Sequence, residues 1–168
     1  MFDKNIYQDS SSQDPYNLTR FIDAQGVVYS QVLRELTSGS KESCWIWFIF
    51  PHIKGLRQSV MTKRFSISSL VEAQAFIEHP ILSARLIECT QLVLNIEDKN
   101  IMEILGTPDN VKFQASMTLF VCTRNRNPIF EQALSKYFHG QPHVPTLEIL
   151  RKSDCSGLFH SKNALEGI

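Results

Sequence analysis

The chain has 168 residues, which is enough to bury one sizeable core but too few for two ordinary domains. Hydrophobic residues make up 43% of it and charged residues 20%, proportions that exclude a disordered or membrane-spanning protein. Seventeen basic residues balance seventeen acidic ones, so the chain has no long-range positive field, and binding to nucleic acid or to an anionic membrane is disfavoured.

Cysteine spacing and the start of the chain favour a reducing compartment. No Cys-x-x-Cys pair is present, and the four cysteines lie far apart, at Cys44, Cys89, Cys122 and Cys155. Such spacing is typical of free thiols rather than of a disulfide framework. The first residues show no basic stretch followed by an apolar one, and no apolar run reaches transmembrane length. We therefore expect a cytoplasmic protein.

The chain begins with a polar leader and continues into a long helix. Residues 1–13 are polar and serine-rich, which predicts a flexible N-terminal leader. Asp14-Pro15 then provides an N-cap followed by proline at the first helical position, and apolar residues recur at helical spacing as far as a stop at Ser38-Gly39. We expect a helix over residues 15–38.

The next segment is apolar on every side. Between Ser43 and Pro51 the periodicity does not separate a buried strand from a buried helix. The β-branched and aromatic content slightly favours a strand, whereas Ser43 as an N-cap and Pro51 as a terminator favour two helical turns. We expect the helical alternative. The pattern is lost over residues 52–67, which predicts a surface segment of the kind that often carries function.

Capping signals divide the rest of the chain into short helices. Ser69 opens one helix, and His79-Pro80 ends it and starts the next, which runs to about residue 95. We expect further helices over residues 98–105, 108–122 and 128–138, and a final turn over 145–150. These signals predict an all-α protein, a compact multihelical array in a single domain over residues 14–151. Residues 152–168 lose periodicity, which predicts a loose C-terminal tail.

Two stretches contain polar residues that interrupt apolar segments. The first contains Lys41, Ser43, Trp45, Trp47 and His52. Indoles stack on planar ligands and a nearby lysine binds phosphate, so we consider these residues as ligand-binding, with His52 as a candidate general acid or base. The alternative, which large aromatic residues favour, is that both tryptophans anchor the core.

The second stretch places three polar residues on one helix face. Asp109, Lys112 and Ser116 fall at positions i, i+3 and i+7 of the predicted helix over 108–122. A solvated face with a local Asp–Lys pair is the simpler interpretation. If Lys112 instead points into a cleft, it becomes an anion anchor or a catalytic candidate, and Ser116 becomes a ligand contact.

No motif indicates a metal or a cofactor. His139 and His143 stand four residues apart, but Gly140 and Pro142 between them prevent a helical zinc face. Phosphate-binding loops, dinucleotide fingerprints and nucleophile elbows are also missing from the sequence. We therefore predict neither a metal site nor a cofactor, and no common enzyme class is supported by a motif.

The order of several residues resembles the bacterial family known as domain of unknown function 1810, over about residues 14 to 150. The N-terminal part of the resemblance rests on Asp14-Pro15, Arg20-Phe21, Ala24-Gln25, Lys41, Ser43, Trp45, Trp47-Phe48, Phe50-Pro51 and Gly55-Leu56. The later part rests on Glu72-Ala73, His79-Pro80, Leu82, Arg85-Leu86, Gly106, Asp109, Lys112, Ser116-Met117-Thr118-Leu119-Phe120, Phe138, Gly140 and Thr146-Leu147.

The resemblance implies an all-α fold and no particular reaction. Some members carry the label calpastatin, but calpastatin inhibitors are disordered repeat proteins, and a chain with regular helix caps and no repeats argues against that label. The chain departs from the family pattern at Cys44, where the family usually has histidine, and at His52, where it usually has glutamine. If the family histidine is catalytic, this chain is altered there unless His52 substitutes for it.

Three functions are compatible with these observations. The first is a small-ligand site that binds or hydrolyses a nucleotide or an ADP-ribose-like molecule in a pocket lined by Trp, Lys and Ser; the link to ADP-ribose is an analogy of fold and composition. The second is a non-enzymatic module that binds another protein through an exposed apolar patch. The third, nucleic-acid binding, requires one basic patch formed by Lys54, Arg57, Lys63 and Arg64.

Overall fold

The protein is an array of helices. A computed structural model describes residues 13–125 and 127–160, with side chains described as far as residue 153. This part of the chain forms nine helices and no strand, which confirms the predicted all-α class. The helices are α1 (Thr19–Ser38), α2 (Ile46–Ile49), α3 (Val60–Phe65), α4 (Leu70–Glu78), α5 (Pro80–Leu94), α6 (Ile101–Leu105), α7 (Asp109–Val121), α8 (Pro128–Phe138) and α9 (Val144–His160).

Helix α1 begins later than the sequence predicts. The Asp14 carboxylate does act as a cap, because it accepts hydrogen bonds from the backbone N–H groups of Leu18 (2.7 Å) and Thr19 (2.9 Å). The residues between form a turn in which Asn17 has a φ of 50°, in the left-handed region, so regular helix starts only at Thr19. The predicted stop is confirmed, since Gly39 ends the helix with a φ of 68°.

The ambiguous apolar segment contains one short helix. Helix α2 is only four residues long, and Ile46, Phe48 and Ile49 in it are buried. Ser43 does not cap α2, because its hydroxyl donates instead to the Glu35 carboxylate on α1 at 2.5 Å. Burial on every side therefore explains why the periodicity of this segment was uninformative.

The expectation of a surface segment over residues 52–67 is wrong for both of its ends. His52, Ile53 and Ile67 are buried. Ile53 and Ile67 form a parallel bridge, in which the Lys54 N–H donates to the Ile67 carbonyl (2.8 Å) and the Ile67 N–H donates to the His52 carbonyl (2.9 Å). Between these ends lies α3, which is too short for helical periodicity to reveal it.

The predicted helix starts in the second half of the chain are largely confirmed. His79 caps α5 and Asn127 caps α8, each followed by proline in the first turn. Asn100 and Glu103 form a capping box at α6. Helix α9 is longer than the predicted turn over 145–150 and continues to His160, past residue 151. The predicted domain boundary and tail stay predictions, and residues 1–12 and 161–168 lie outside the described residues.

Helix α7 lies at the centre of the core and packs against α2, α4, α6, α8 and α9. Its residues Phe113 and Phe120 are fully buried. The Phe113 ring meets Phe50 edge-on with centroids 4.8 Å apart, and Phe120 contacts Phe76 and Phe130. One continuous aromatic core therefore connects α7 with three other parts of the chain, the end of α2, α4 and α8. Within the described residues, no helix has the length and apolar character needed to cross a membrane.

Arg20 of α1 joins the N-terminal turn, α3 and α4. Its guanidinium group donates to the Glu72 carboxylate at 2.6 Å. It also donates to four backbone carbonyls, those of Tyr16, Asn17, Arg64 and Ser66. The side chain is only 15% exposed, so these bonds are made largely away from solvent.

Replacing Arg20 by glutamine should destabilise the fold. The change leaves the buried Glu72 carboxylate without its cation, and we expect the free energy of unfolding to fall by about 3 kcal/mol. Arg34→Gln, at an exposed position of the same helix, is the matched control and should change stability by less than about 0.5 kcal/mol. Urea unfolding followed by circular dichroism measures both values, and equal effects of the two substitutions would contradict the assigned role of Arg20.

Candidate functional site

A partly open pocket lies between the first half of α7, the residues after α2 and the residues before α9. Its volume is about 170 Å³. The lining residues are His52, Leu56, Arg57, Pro108, Val111, Lys112, Ala115, His143 and Pro145. We call this hollow the imidazole–lysine pocket. Apolar side chains and prolines form most of its wall, and all its polar side chains are basic in character.

His52 is held rigidly in the wall. It is the second residue after Phe50, and the bridge between Ile53 and Ile67 fixes its backbone. Its Nδ1 lies 3.1 Å from the Ile53 carbonyl oxygen. Because a carbonyl only accepts hydrogen bonds, Nδ1 carries the proton in the neutral ring, and Nε2 is left with a lone pair.

The surroundings of His52 favour its neutral form. Burial lowers the pKa of this imidazole below its usual value, and the hydrogen bond to the Ile53 carbonyl opposes that effect. The positive charges of Lys112 and Arg57 lower the pKa further. His52 is therefore a neutral base at physiological pH, ready to accept a proton or a hydrogen bond at Nε2.

A second imidazole, that of His143, faces the same pocket. Its Nδ1 lies 2.9 Å from the Thr146 hydroxyl, and its backbone N–H donates to the Thr118 hydroxyl at 2.9 Å. Burial lowers the pKa of His143, and repulsion from His52 lowers it further. The two rings are thus coupled, since protonation of one disfavours protonation of the other.

Lys112 connects the pocket to an ionic cluster. Its ammonium group lies 2.9 Å from one carboxylate oxygen of Asp109, and Lys41 lies 2.7 Å from the other. We call Lys41, Asp109 and Lys112 the lysine–aspartate cluster. The Lys112 ammonium also lies over the Trp47 ring, 4.3 Å from its centroid, and Lys41 lies 5.0 Å from that of Trp45. The cluster carries one net positive charge.

Glu35 of α1 holds the residues that follow Lys41 in place through hydrogen bonds. Its carboxylate accepts hydrogen bonds from the Trp45 indole N–H (2.8 Å), from the Ser43 hydroxyl and from the backbone N–H groups of Glu42 and Ser43. Burial raises the pKa of Glu35, but these hydrogen bonds lower it more, and the pKa is about 2. Glu35 therefore stays ionised and fixes residues 41–47, which we call the tryptophan segment, to α1.

The structure brings the two predicted stretches together. Lys112 contacts Trp47 and shares Asp109 with Lys41, so the predicted local pair of Asp109 and Lys112 forms, but it lies largely out of solvent. The pocket wall differs from the predicted Trp-, Lys- and Ser-lined one. Of the candidates, His52 and Lys112 line it, whereas Lys41, Ser43, Trp45, Trp47 and Ser116 do not.

The candidates outside the wall occupy distinct positions. Trp45 is 1% exposed and anchors the core, while Trp47 is half-buried beneath Lys112. Ser116 is fully buried, and its hydroxyl has no hydrogen-bond partner in the described part of the chain. Cys44 is exposed and does not line the pocket, whereas His52 does.

Three residues of the site were not among the predicted site residues. Glu35 lies within an amphipathic helix and looks like any helical acid in the sequence. In the sequence, Arg57 stands out only as a member of a basic patch, and His143 only through its spacing from His139. No local pattern marks them, because the pocket forms from segments that are distant in sequence.

The chain matches the model of the family described as "Protein of unknown function (DUF1810)" over residues 15–150. The chain belongs to the DUF1810 family. The crystal structure of a conserved hypothetical protein from Mycobacterium tuberculosis is similar to this structure, with 43% sequence identity and a TM-score of 0.81. That match covers 82% of this chain and 99% of the other. None of the curated proteins compared with the chain matches it. The predicted family resemblance is thereby confirmed.

Replacing Glu35 by glutamine should change how stability depends on pH. The folded-state pKa of about 2 lies below the ordinary value of 4.5, so the contribution of Glu35 is complete above pH 4.5 and is lost as the pH falls towards 2. Glutamine does not titrate and cannot accept all four hydrogen bonds, so Glu35→Gln should lose about 3 kcal/mol of stability at neutral pH.

The difference between the wild-type protein and Glu35→Gln should then shrink as the pH falls from 4.5 towards 2. Urea unfolding at a series of pH values measures it. Ser30→Ala, an exposed change on the same helix that removes no titrating group, is the control and should keep a constant offset from wild type. A difference for Glu35→Gln that is independent of pH would show that the carboxylate charge is not what holds the tryptophan segment.

Proposed function

We propose that this protein binds a small phosphate-bearing molecule of the nucleotide class in the imidazole–lysine pocket. The observation that carries the proposal is that Lys112, Arg57 and the lone pair of a neutral His52 converge on one hollow with apolar walls. Cationic groups bind phosphate oxygens, a neutral imidazole exchanges protons with a ligand, and apolar walls shelter a ring or sugar face.

The size of the pocket limits which part of a ligand enters it. A volume of about 170 Å³ is smaller than the roughly 300–1,000 Å³ usual for sites that enclose a whole ligand. The pocket therefore holds one group, such as a phosphate with its adjoining carbon atoms. Because the pocket is partly open, the remainder of a nucleotide, an ADP-ribose or an NAD extends over the rim formed by Leu56, Arg57 and Pro145.

The other candidate residues support the site from outside the pocket wall. Asp109 orients the Lys112 ammonium. Lys41 binds the same carboxylate, so the one negative charge of Asp109 is divided between two ammonium groups and does not fully neutralise Lys112. The Trp47 ring lies against the same ammonium group and keeps it partly dry. Lys41, Ser43, Trp45 and Trp47 thus act by positioning Lys112, whereas His52, Arg57, Lys112 and His143 contact the ligand.

A ligand that binds this pocket should stabilise the native protein. We expect AMP, ADP, ADP-ribose or NAD to raise the unfolding midpoint by about 5–10 °C when present at about 100 times its Kd. Adenosine, which lacks phosphate, should have a much smaller effect. Differential scanning fluorimetry identifies the ligand, and isothermal titration calorimetry then gives its Kd.

Two substitutions should weaken this binding without unfolding the protein. Arg57 is exposed, and Lys112→Met keeps the aliphatic stem while Lys41 remains as the partner of Asp109. Each of Arg57→Gln and Lys112→Met should raise the Kd by about 10- to 100-fold, through loss of a charge-assisted hydrogen bond. Arg124→Gln, an exposed change beyond the C-terminal end of α7, is the matched control and should leave the Kd unchanged.

The proposal is wrong if no phosphate-bearing compound stabilises the protein, or if all three variants bind as wild type does. If the protein then also proves to bind another protein in a stoichiometric complex, the alternative of a protein-interaction module is favoured. Binding that falls steeply with salt and depends equally on Lys54, Lys63 and Arg64 would instead favour nucleic acid.

A further inference from the structure

The two imidazoles of the pocket share one hydrogen-bonding arrangement. In His52 and His143 alike, Nδ1 is occupied by a neighbouring oxygen, of the Ile53 carbonyl and the Thr146 hydroxyl respectively. Nε2 is therefore the nitrogen that each imidazole has available for a ligand. Both imidazoles line the same hollow of about 170 Å³, so a group bound there meets both rings. A pair of imidazoles beside a cation is an arrangement suited to acid–base cleavage of a phosphate ester.

We propose that the pocket hydrolyses a phosphodiester bond, with His52 as the general base and His143 as the general acid. This inference rests on the proposed function, because it requires the phosphate to bind beside Lys112. It names the substrate class, a nucleotide in which one phosphorus atom carries two ester bonds, and it adds a reaction to the binding already proposed.

The charge of the substrate favours a diester over a monoester. A phosphodiester carries one negative charge, whereas a phosphate monoester carries between about 1.5 and 2 at neutral pH. The smaller charge of the diester repels the oxygen of the attacking water less, so attack assisted by a general base favours the diester. The Lys112 ammonium lies beside the phosphate, and Arg57 at the exposed rim contacts the rest of the ligand.

The hydrogen-bond partners of the two imidazoles assign their roles. The Ile53 carbonyl only accepts, so the neutral His52 ring carries its proton on Nδ1 and its lone pair on Nε2, as a general base must. The positive charges of Lys112 from α7 and of Arg57 from the segment after α2 also favour this neutral form. The Thr146 hydroxyl beside Nδ1 of His143 can donate as well as accept, so Nε2 of His143 bears a proton in the imidazolium and in one neutral tautomer, as a general acid must.

The reaction uses one water molecule and no other reactant. Nε2 of His52 takes a proton from the water while the oxygen of the water forms a bond to phosphorus. The bond from phosphorus to one ester oxygen breaks, and that oxygen takes the proton of the His143 imidazolium. Negative charge that builds on the non-bridging phosphate oxygens lies beside the Lys112 ammonium. Proton exchange with solvent then restores both rings.

The first experiment measures turnover of adenosine 2′,3′-cyclic phosphate by the full chain, with product formation followed by chromatography. We expect hydrolysis to a monophosphate, and a fall in kcat of about 10²- to 10⁴-fold in His52→Asn and in His143→Asn. His139→Asn is the matched control, because His139 is exposed, lies outside the pocket and has a φ of 55° that asparagine tolerates. Its kcat should equal that of wild type.

The second experiment separates the acid from the base. Bis(4-nitrophenyl) phosphate releases 4-nitrophenolate, which leaves without needing a proton, so the general acid contributes little to its cleavage. His143→Asn should therefore lower kcat on this substrate by less than about tenfold, while His52→Asn keeps its full loss. Loss of packing alone would affect both substrates equally. Unfolding midpoints of the variants, measured in parallel, show whether the buried His52 position tolerates the change.

The pH profile gives an independent readout. The lowered pKa values of both rings place the optimum of kcat/KM for the cyclic nucleotide below pH 6.5, the ordinary histidine value. The fall on the alkaline side reports deprotonation of His143, and it should vanish in His143→Asn with the nitrophenyl substrate. An optimum above pH 7 would contradict the assignment of His143 as the acid.

The outcomes distinguish this inference from the proposed function. If adenosine 2′,3′-cyclic phosphate stabilises the protein, in a manner lost in Arg57→Gln, but is never hydrolysed, the site binds phosphate and the acid–base inference is wrong. Hydrolysis that persists equally in His52→Asn, His143→Asn and His139→Asn also overturns it. If the compound neither stabilises the protein nor reacts, and no other phosphate ligand binds, both proposals fail together.

Discussion

The carboxylate of Asp109, held between two ammonium groups, is the constraint on which the site depends. Its two oxygens lie 2.7 Å from Lys41 and 2.9 Å from Lys112, and all three side chains are largely buried. A buried charge without a partner is costly, so both lysines depend on the Asp109 carboxylate, and Asp109 needs at least one of them. The backbone N–H of Lys41 also donates to the Ile104 carbonyl of α6. The cluster thus ties the start of α7 to the tryptophan segment and to α6, and it leaves one positive charge at the pocket.

Much of the fold could be predicted from the sequence, because it is encoded by local signals. Caps such as His79 and Asn127, each followed by proline, act within a few residues and mark the helix starts directly. The errors fall where long-range contacts decide the structure. The bridge between Ile53 and Ile67 pairs residues at two ends of a segment without periodicity, and the start of α1 depends on a turn with a left-handed residue at Asn17.

The candidate site was predictable only in part, for the same reason. A lysine within an apolar helix face and two tryptophans in a short segment are unusual enough to attract attention in the sequence, and the structure brings them together through Asp109. His143 and Arg57 carry no such signal. They reach the pocket because α9 packs on α7 and the segment after α2 lines the same hollow, and a single sequence contains no record of that packing. Trp45 likewise lies outside the pocket wall because its indole N–H donates to the Glu35 carboxylate. The sequence does not show that these two residues meet.

The two backbone hydrogen bonds that join His52 and Lys54 to Ile67 close a loop at its base. Residues within that loop, including Leu56 and Arg57 at the pocket rim, can change in identity or number while the imidazole of His52 keeps its place. Under the proposed function, this loop would determine what a ligand meets at the rim, while the groups inside the pocket keep their positions.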